Sequence, residues 1–153
     1  MSRSRSRSRR GFPVRLGATL SALALLAAAC GEREPTAAEA GETLKTHVMA
    51  LLKERGALNV RVTDPGGKDI PCGEGKAKRT FAATGEDASP ETEAGVLDDA
   101  LVGALGHTAD YDLVDAVEKP LRLRNPSART LLTLASVTGR YVVRGETECL
   151  SRS

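Results

Sequence analysis

The sequence predicts an α+β fold, with two helices packed on one face of an antiparallel sheet of about five strands to form a two-layer sandwich. Three observations carry this. Two segments, 42–55 and 89–105, place apolar residues at helical spacing. Residues 58–63 and 76–84 alternate with period two, as half-buried strands do. The last third alternates again, broken by short turns with no helix between them, and strands joined so closely run antiparallel.

In the first helix Leu44, Val48, Leu51 and Leu52 fall at i, i+4, i+7 and i+8, forming one stripe. Lys53 and Arg55 suit its C-terminal end, and Gly56 stops it. His47 lies beside the stripe and reads as a surface or boundary residue. Leu58, Val60 and Val62 alternate with Asn59, Arg61 and Thr63, and Asp64-Pro65-Gly66-Gly67 turns the chain. A loop runs to Gly75. Its glycines match neither phosphate-loop nor dinucleotide spacing, so it reads as structural. The strand over 76–84 puts Ala77, Arg79, Phe81 and Ala83 on one face, with Phe81 as the core anchor. Ser89-Pro90-Glu91-Thr92-Glu93 predicts the start of the second helix: Ser as cap, Pro at the first helical position, acids at the positive end of the dipole. Leu97, Leu101, Val102 and Leu105 form its apolar face, Asp98 and Asp99 lie on the other side, and Gly106 stops it. Strands follow over 111–117 and around Leu121 and Leu123. A turn at Asn125-Pro126-Ser127 leads into a hairpin of 130–137 and 141–148 through Thr138-Gly139-Arg140.

The start of the chain differs in kind. Residues 1–29 hold Arg3, Arg5, Arg7, Arg9, Arg10 and Arg15 and no acid, and end in an apolar run over 16–29. A positive start, a short apolar middle and small residues at the end make a secretory signal. The run is about 21 Å long as a helix, short of the roughly 30 Å of a bilayer core. Ala27-Ala28-Ala29-Cys30 resembles the bacterial lipobox, although Ala27 stands where that motif prefers Leu. The resemblance implies diacylglyceryl transfer to the Cys30 thiol, cleavage before it and acylation, palmitate included. Two or more acyl chains give stable anchoring where one is marginal. The alternative is an ordinary cleaved signal with Cys30 incidental. Ser8-Arg9-Arg10-Gly11-Phe12 resembles the twin-arginine export motif, but Pro13 and Val14 depart from it, and the export route stays open. The Ser-Arg alternation over 2–10 supplies the charge that orients insertion rather than an RNA contact.

The expected organisation is therefore a lipoprotein signal peptide over 1–29, a lipidated cysteine and flexible tether over 30–41, and a single α+β domain over 42–150. The signal holds six of the 22 basic residues and none of the 20 acids, so residues 30–153 carry 16 against 20, a net charge of −4. The basic pI belongs to the precursor and gives no argument for nucleic acid. With no Trp, two Tyr and two Phe, the chain is a weak candidate for sugar stacking.

With Cys30 lipidated, Cys72 and Cys149 remain, an even number in an oxidising compartment, and they are expected to pair. Such a bond contributes on the order of 4 kcal/mol in the chain-entropy model. Free thiols and a metal site are the alternatives, the latter disfavoured because neither cysteine has a neighbour at ligand spacing. His107, Asp110, Asp112 and Asp115 are the one grouping that offers metal-ligand chemistry. They lack the Gly and terminal Glu of a calcium loop, and no metal site or cofactor is assigned.

The order lipobox, helix, strand, Pro71-Cys72-Gly73, strand, helix, hairpin and terminal Thr147-Glu148-Cys149 resembles small secreted lipoproteins of actinobacteria, of the LppA-like type, mostly without assigned function. The resemblance covers residues 16–150. It implies a two-layer α+β domain, a disulfide between Cys72 and Cys149, and no catalytic residues to carry over.

The functional expectation is a non-catalytic lipoprotein on the outer face of the cell membrane, anchored by lipid and binding another envelope protein or a small ligand. A wall-acting hydrolase is the runner-up. Against it stand two histidines only, no Gly-x-Ser-x-Gly and no zinc signature. A carboxylate pair such as Asp98 with Asp112 would need to meet in a cleft. A lipid carrier would need an apolar cavity of several hundred Å3.

Overall fold

The computed structural model describes residues 33–115 and 120–152. The elements in chain order are α1 (Ala37–Glu54), β1 (Leu58–Asp64), β2 (Ile70–Gly73), β3 (Lys76–Lys78), β4 (Thr80–Glu86), α2 (Ala94–Leu105), β5 (Asp112–Asp115), β6 (Leu121–Asn125), β7 (Thr130–Leu134), β8 (Arg140–Thr147) and β9 (Leu150–Ser151). Six strands make an antiparallel sheet in the order β1-β4-β8-β7-β6-β5, and β2-β3-β9 make a second, small sheet. The α+β class holds, but among the described residues nine strands in two sheets replace the expected five.

Helix α1 starts five residues before the expected Glu42. Thr36 and Glu39 form a capping box: the Glu39 N–H donates to Thr36 Oγ1 at 3.2 Å, and the Thr36 N–H donates to Glu39 Oε2 at 2.8 Å. The segment expected as tether is thus helical from Ala37. Ala37 and Ala40 pack with Ala77 and Leu150 beneath the small sheet. Further along, Leu44, Val48, Leu51 and Leu52 enter the main core, the stripe the spacing predicts.

The expected strand over 76–84 is two strands in two sheets. At Arg79 the chain leaves β3 and enters β4. There the Arg79 N–H donates to Thr147 Oγ1 at 3.0 Å, and the Thr147 N–H donates to Arg79 O at 2.8 Å. Alternation survives the change, so Phe81 and Ala83 still face the main core. The loop expected before Gly75 contains β2, which pairs with β3.

Strand β1 is exposed rather than half-buried. Leu58, Val60 and Val62 are 52%, 37% and 48% accessible. Helix α1 lies over β4 and β8, one strand inward, and leaves this edge uncovered. Asn59, at φ 48°, also breaks the strand's register.

Helix α2 begins at Ala94, not at Ser89-Pro90. Asp87 takes the partners that a helical first turn would use: the Ser89 N–H donates to Asp87 Oδ2 at 3.1 Å and the Thr92 hydroxyl donates to the same oxygen at 2.8 Å. The Gly139 N–H holds Thr92 O at 2.9 Å, pinning the segment to the β7–β8 turn. Asp98 is buried, against expectation, because its Oδ1 accepts from the Ser136 N–H at 3.0 Å.

Strand β5 falls within the expected 111–117; residues 116–119 lie outside the described residues. The β7–β8 hairpin forms as expected, extended by the Val137–Arg140 bridge. Leu121, Leu123, Leu132, Leu134, Tyr141 and Val143 line the inner face of the sheet and form one core with both helices. At Gly145 a Cβ would sit 2.4 Å from Leu44 Cδ1, so this glycine sets how closely α1 approaches the sheet.

Candidate functional site

Among the described residues, both helices cover one face of the main sheet and no element covers the opposite face. On β6, β7 and β8 the alternate residues that point away from the core are Arg122 and Arg124, Leu131 and Thr133, and Arg140, Val142, Arg144 and Glu146. Cross-strand pairing places Asp64, Ala82, Arg144, Thr133 and Arg122 in one row from β1 to β6. Around its centre lies a concavity of about 480 Å3, lined by Thr63, Asp64, Thr80, Ala82, Arg122, Leu131, Thr133, Arg144 and Glu146 among others. A smaller hollow of about 200 Å3 on the same face is lined by Asn59, Arg61, Thr84, Glu86 and Arg140.

Three carboxylates on this face are engaged. Asp64 Oδ2 accepts from the Thr80 hydroxyl at 2.6 Å and Oδ1 from the Gly66 N–H at 2.9 Å. These two bonds, Thr80 first, hold its carboxyl below the usual range. Glu146 pairs with Lys78 at 2.8 Å, and Glu86 accepts from the Asn59 amide at 2.7 Å. Arg124 pairs with Glu148 at 2.6 Å. Among the described residues, Arg61, Arg140 and Arg144 have no carboxylate within 4 Å. Chemically, the central concavity offers guanidinium and hydroxyl donors together with the carboxylates of Asp64 and Glu146.

Asp64 and Glu146 are two carboxylates in one concavity, the arrangement a glycosidase needs. Such a site keeps one carboxyl protonated near neutral pH by raising its pKa. Asp64 is shifted the opposite way, and Glu146 is tied to Lys78. The pair named from sequence does not assemble: Asp98 is buried against Ser136, and the hollow that Asp112 lines does not include it. The chain matches no protein-family model, no curated protein and no solved structure.

The remaining sequence-predicted residues are placed as follows. Cys72, in β2, and Cys149, just after β8, form a disulfide with Cα atoms 5.9 Å apart. Cys30 lies outside the described residues. His107 and Asp110 are exposed beyond α2, and Asp112 is exposed opposite Arg124. Among the described residues no three His, Cys, Asp or Glu side chains gather where they would hold a metal ion. Among the described residues no helix is long and apolar enough to cross a membrane.

His47 has a partner the sequence did not show. Its Nδ1 is 3.2 Å from the Tyr111 hydroxyl, which lies 2.8 Å from Thr130 Oγ1, and the two rings meet edge to face at 5.7 Å. Burial lowers the His47 pKa and raises that of Tyr111. An apolar groove of about 480 Å3, lined by Met49, Ala50, Lys53, Gly56, Ala57 and Val60, is open to solvent beside α1. Being a surface groove, it gives the lipid-carrier reading no support.

Proposed function

We propose that this chain is an exported lipoprotein, anchored through Cys30 to the outer face of the cell membrane. Its domain is a non-catalytic binding module that takes a small ligand or another envelope protein on the open face of the main sheet. The observation that carries the reading is the one-sided covering of that sheet: both helices pack on the inner face, while the outer face keeps a concavity of about 480 Å3 at its centre. The Cys72–Cys149 disulfide supports an oxidising, extracytoplasmic location. The arginine-rich start, apolar run and Ala-Ala-Ala-Cys motif support export and lipidation. No nucleic-acid role is proposed.

Two measurements test it. The intact mass of the membrane-extracted protein is expected to correspond to a chain beginning at Cys30 plus acyl groups; an unacylated chain would overturn the anchor. A photo-crosslinking residue is placed at Val142, on the open face, and in a second protein at Lys45, on exposed α1. Adducts from position 142 but not from 45 are expected in intact cells. Adducts from 45 alone would overturn the open face as the binding surface.

A further inference from the structure

The charges of the central concavity are unevenly matched. Asp64 and Glu146 already have partners, whereas Arg144, on β8 near the middle of the sheet, has no carboxylate within 4 Å among the described residues. Its direct cross-strand neighbours are Ala82 and Thr133, neither of them charged. Arg122 follows on the far side of Thr133. Arg144 and Arg122 therefore stand two strand spacings apart, about 10 Å between main chains. Both point to the open face, with a hydroxyl between them.

We propose that this row binds the phosphate group of a small phosphorylated polyol, with Arg144 and Arg122 gripping it from either side and Thr133 donating from below. The inference rests on the open face being the binding surface and names its ligand. Two guanidinium groups and a hydroxyl lining one concavity, spread over two strand spacings, favour an anion with acceptor oxygens facing several directions, and the three terminal oxygens of a phosphate monoester suit this better than the two coplanar oxygens of a carboxylate. The carboxylates of Asp64 and Glu146 repel further negative charge and accept hydrogen bonds, so the remainder of the ligand carries hydroxyls rather than more anions. A volume of about 480 Å3 lies within the range of small-molecule sites.

The test is isothermal titration of the mature, detergent-extracted protein with glycerol 1-phosphate, and with glycerol and acetate in parallel. Saturable binding of glycerol 1-phosphate alone is expected, at least tenfold weaker in Arg144→Gln and in Arg122→Gln. It is expected to be unchanged in Arg124→Gln, whose guanidinium is paired with Glu148 outside the concavity. In the wild-type protein the same ligand should shift amide resonances at 82, 133 and 144, which keeps the test independent of any variant's folding. Absence of saturable binding, or equal binding by Arg144→Gln, overturns the proposal. Binding only to vesicles of anionic phospholipid also overturns it, while leaving the open face as the binding surface. Loss of the crosslinks from position 142 would instead remove the reading on which it rests.

Discussion

At the scale of single residues, two hydrogen-bonding arrangements replace signals that looked different in the sequence. Thr36 and Glu39 cap α1 inside a stretch that composition marks as a tether. Thr36→Ala removes the acceptor of the Glu39 N–H and is expected to lower stability by about 1 kcal/mol, read as a fall in the urea midpoint at constant slope. Asp87 is the second case. It accepts from the Tyr141 hydroxyl at 2.6 Å as well as from Thr92 and Ser89, and these bonds, Tyr141 first, hold its pKa below the ordinary aspartate value. A carboxylate depressed in the folded state is more readily protonated in the unfolded one. Its contribution is therefore complete above the unfolded value of about 3.9 and is lost as pH falls through the folded value. Thermal melts are expected to show the gap between wild type and Asp87→Asn wide at pH 6 and narrowed at pH 2.5. A gap independent of pH would mean that the carboxylate's charge contributes nothing.

At the scale of elements, what was legible in the sequence was local. The α1 stripe and the β7–β8 hairpin follow from periodicity and turn residues within a few positions of each other, and both form as expected. What was not legible depends on which elements become neighbours. The exposure of Val60 and Val62 follows from α1 lying over β4 and β8, a fact of packing that alternation along β1 does not encode. The start of α2 was misread because Asp87, outside the Ser-Pro-Glu signal, takes its hydrogen bonds. The cysteine pair was readable from number and compartment. The row of Arg144, Thr133 and Arg122 was not, because three strands must align before those positions become adjacent. Gly145 shows the same dependence: its missing side chain leaves room for Leu44 of α1. Gly145→Ala puts a methyl 2.4 Å from Leu44 Cδ1 and 3.0 Å from Leu132 Cδ2, an overpacking expected to cost about 1–3 kcal/mol. If the clash with Leu44 is the cause, adding Leu44→Ala should cost less in the Gly145→Ala background than alone, a coupling that a double-mutant cycle measures.

At the scale of the whole molecule, the disulfide is anchored at both ends in or beside the small sheet but closes a loop through the main one. Cys72 lies in β2 of the small sheet, and Cys149, 77 residues later, stands between Thr147 at the end of β8 and Leu150 at the start of β9, itself a strand of the small sheet. The loop it closes contains β3 through β8, hence most of the core and all of the central row of the open face except Asp64. If the bond acts by restricting the unfolded chain, closing a loop of that length contributes about 4.5 kcal/mol, and the effect belongs to the whole domain rather than to the small sheet. Replacing both cysteines with serine should then lower the global unfolding free energy by roughly that amount. It should also increase the denaturant slope, because the unfolded chain without its cross-link exposes more surface. Hydrogen exchange separates this from a local role. Amides of β7 and β8, deep in the main sheet, should lose protection together with those of β2 and β3. Faster exchange confined to β2, β3 and β9, with β8 unchanged, would show that the bond only holds the small sheet together and that the open face stands without it.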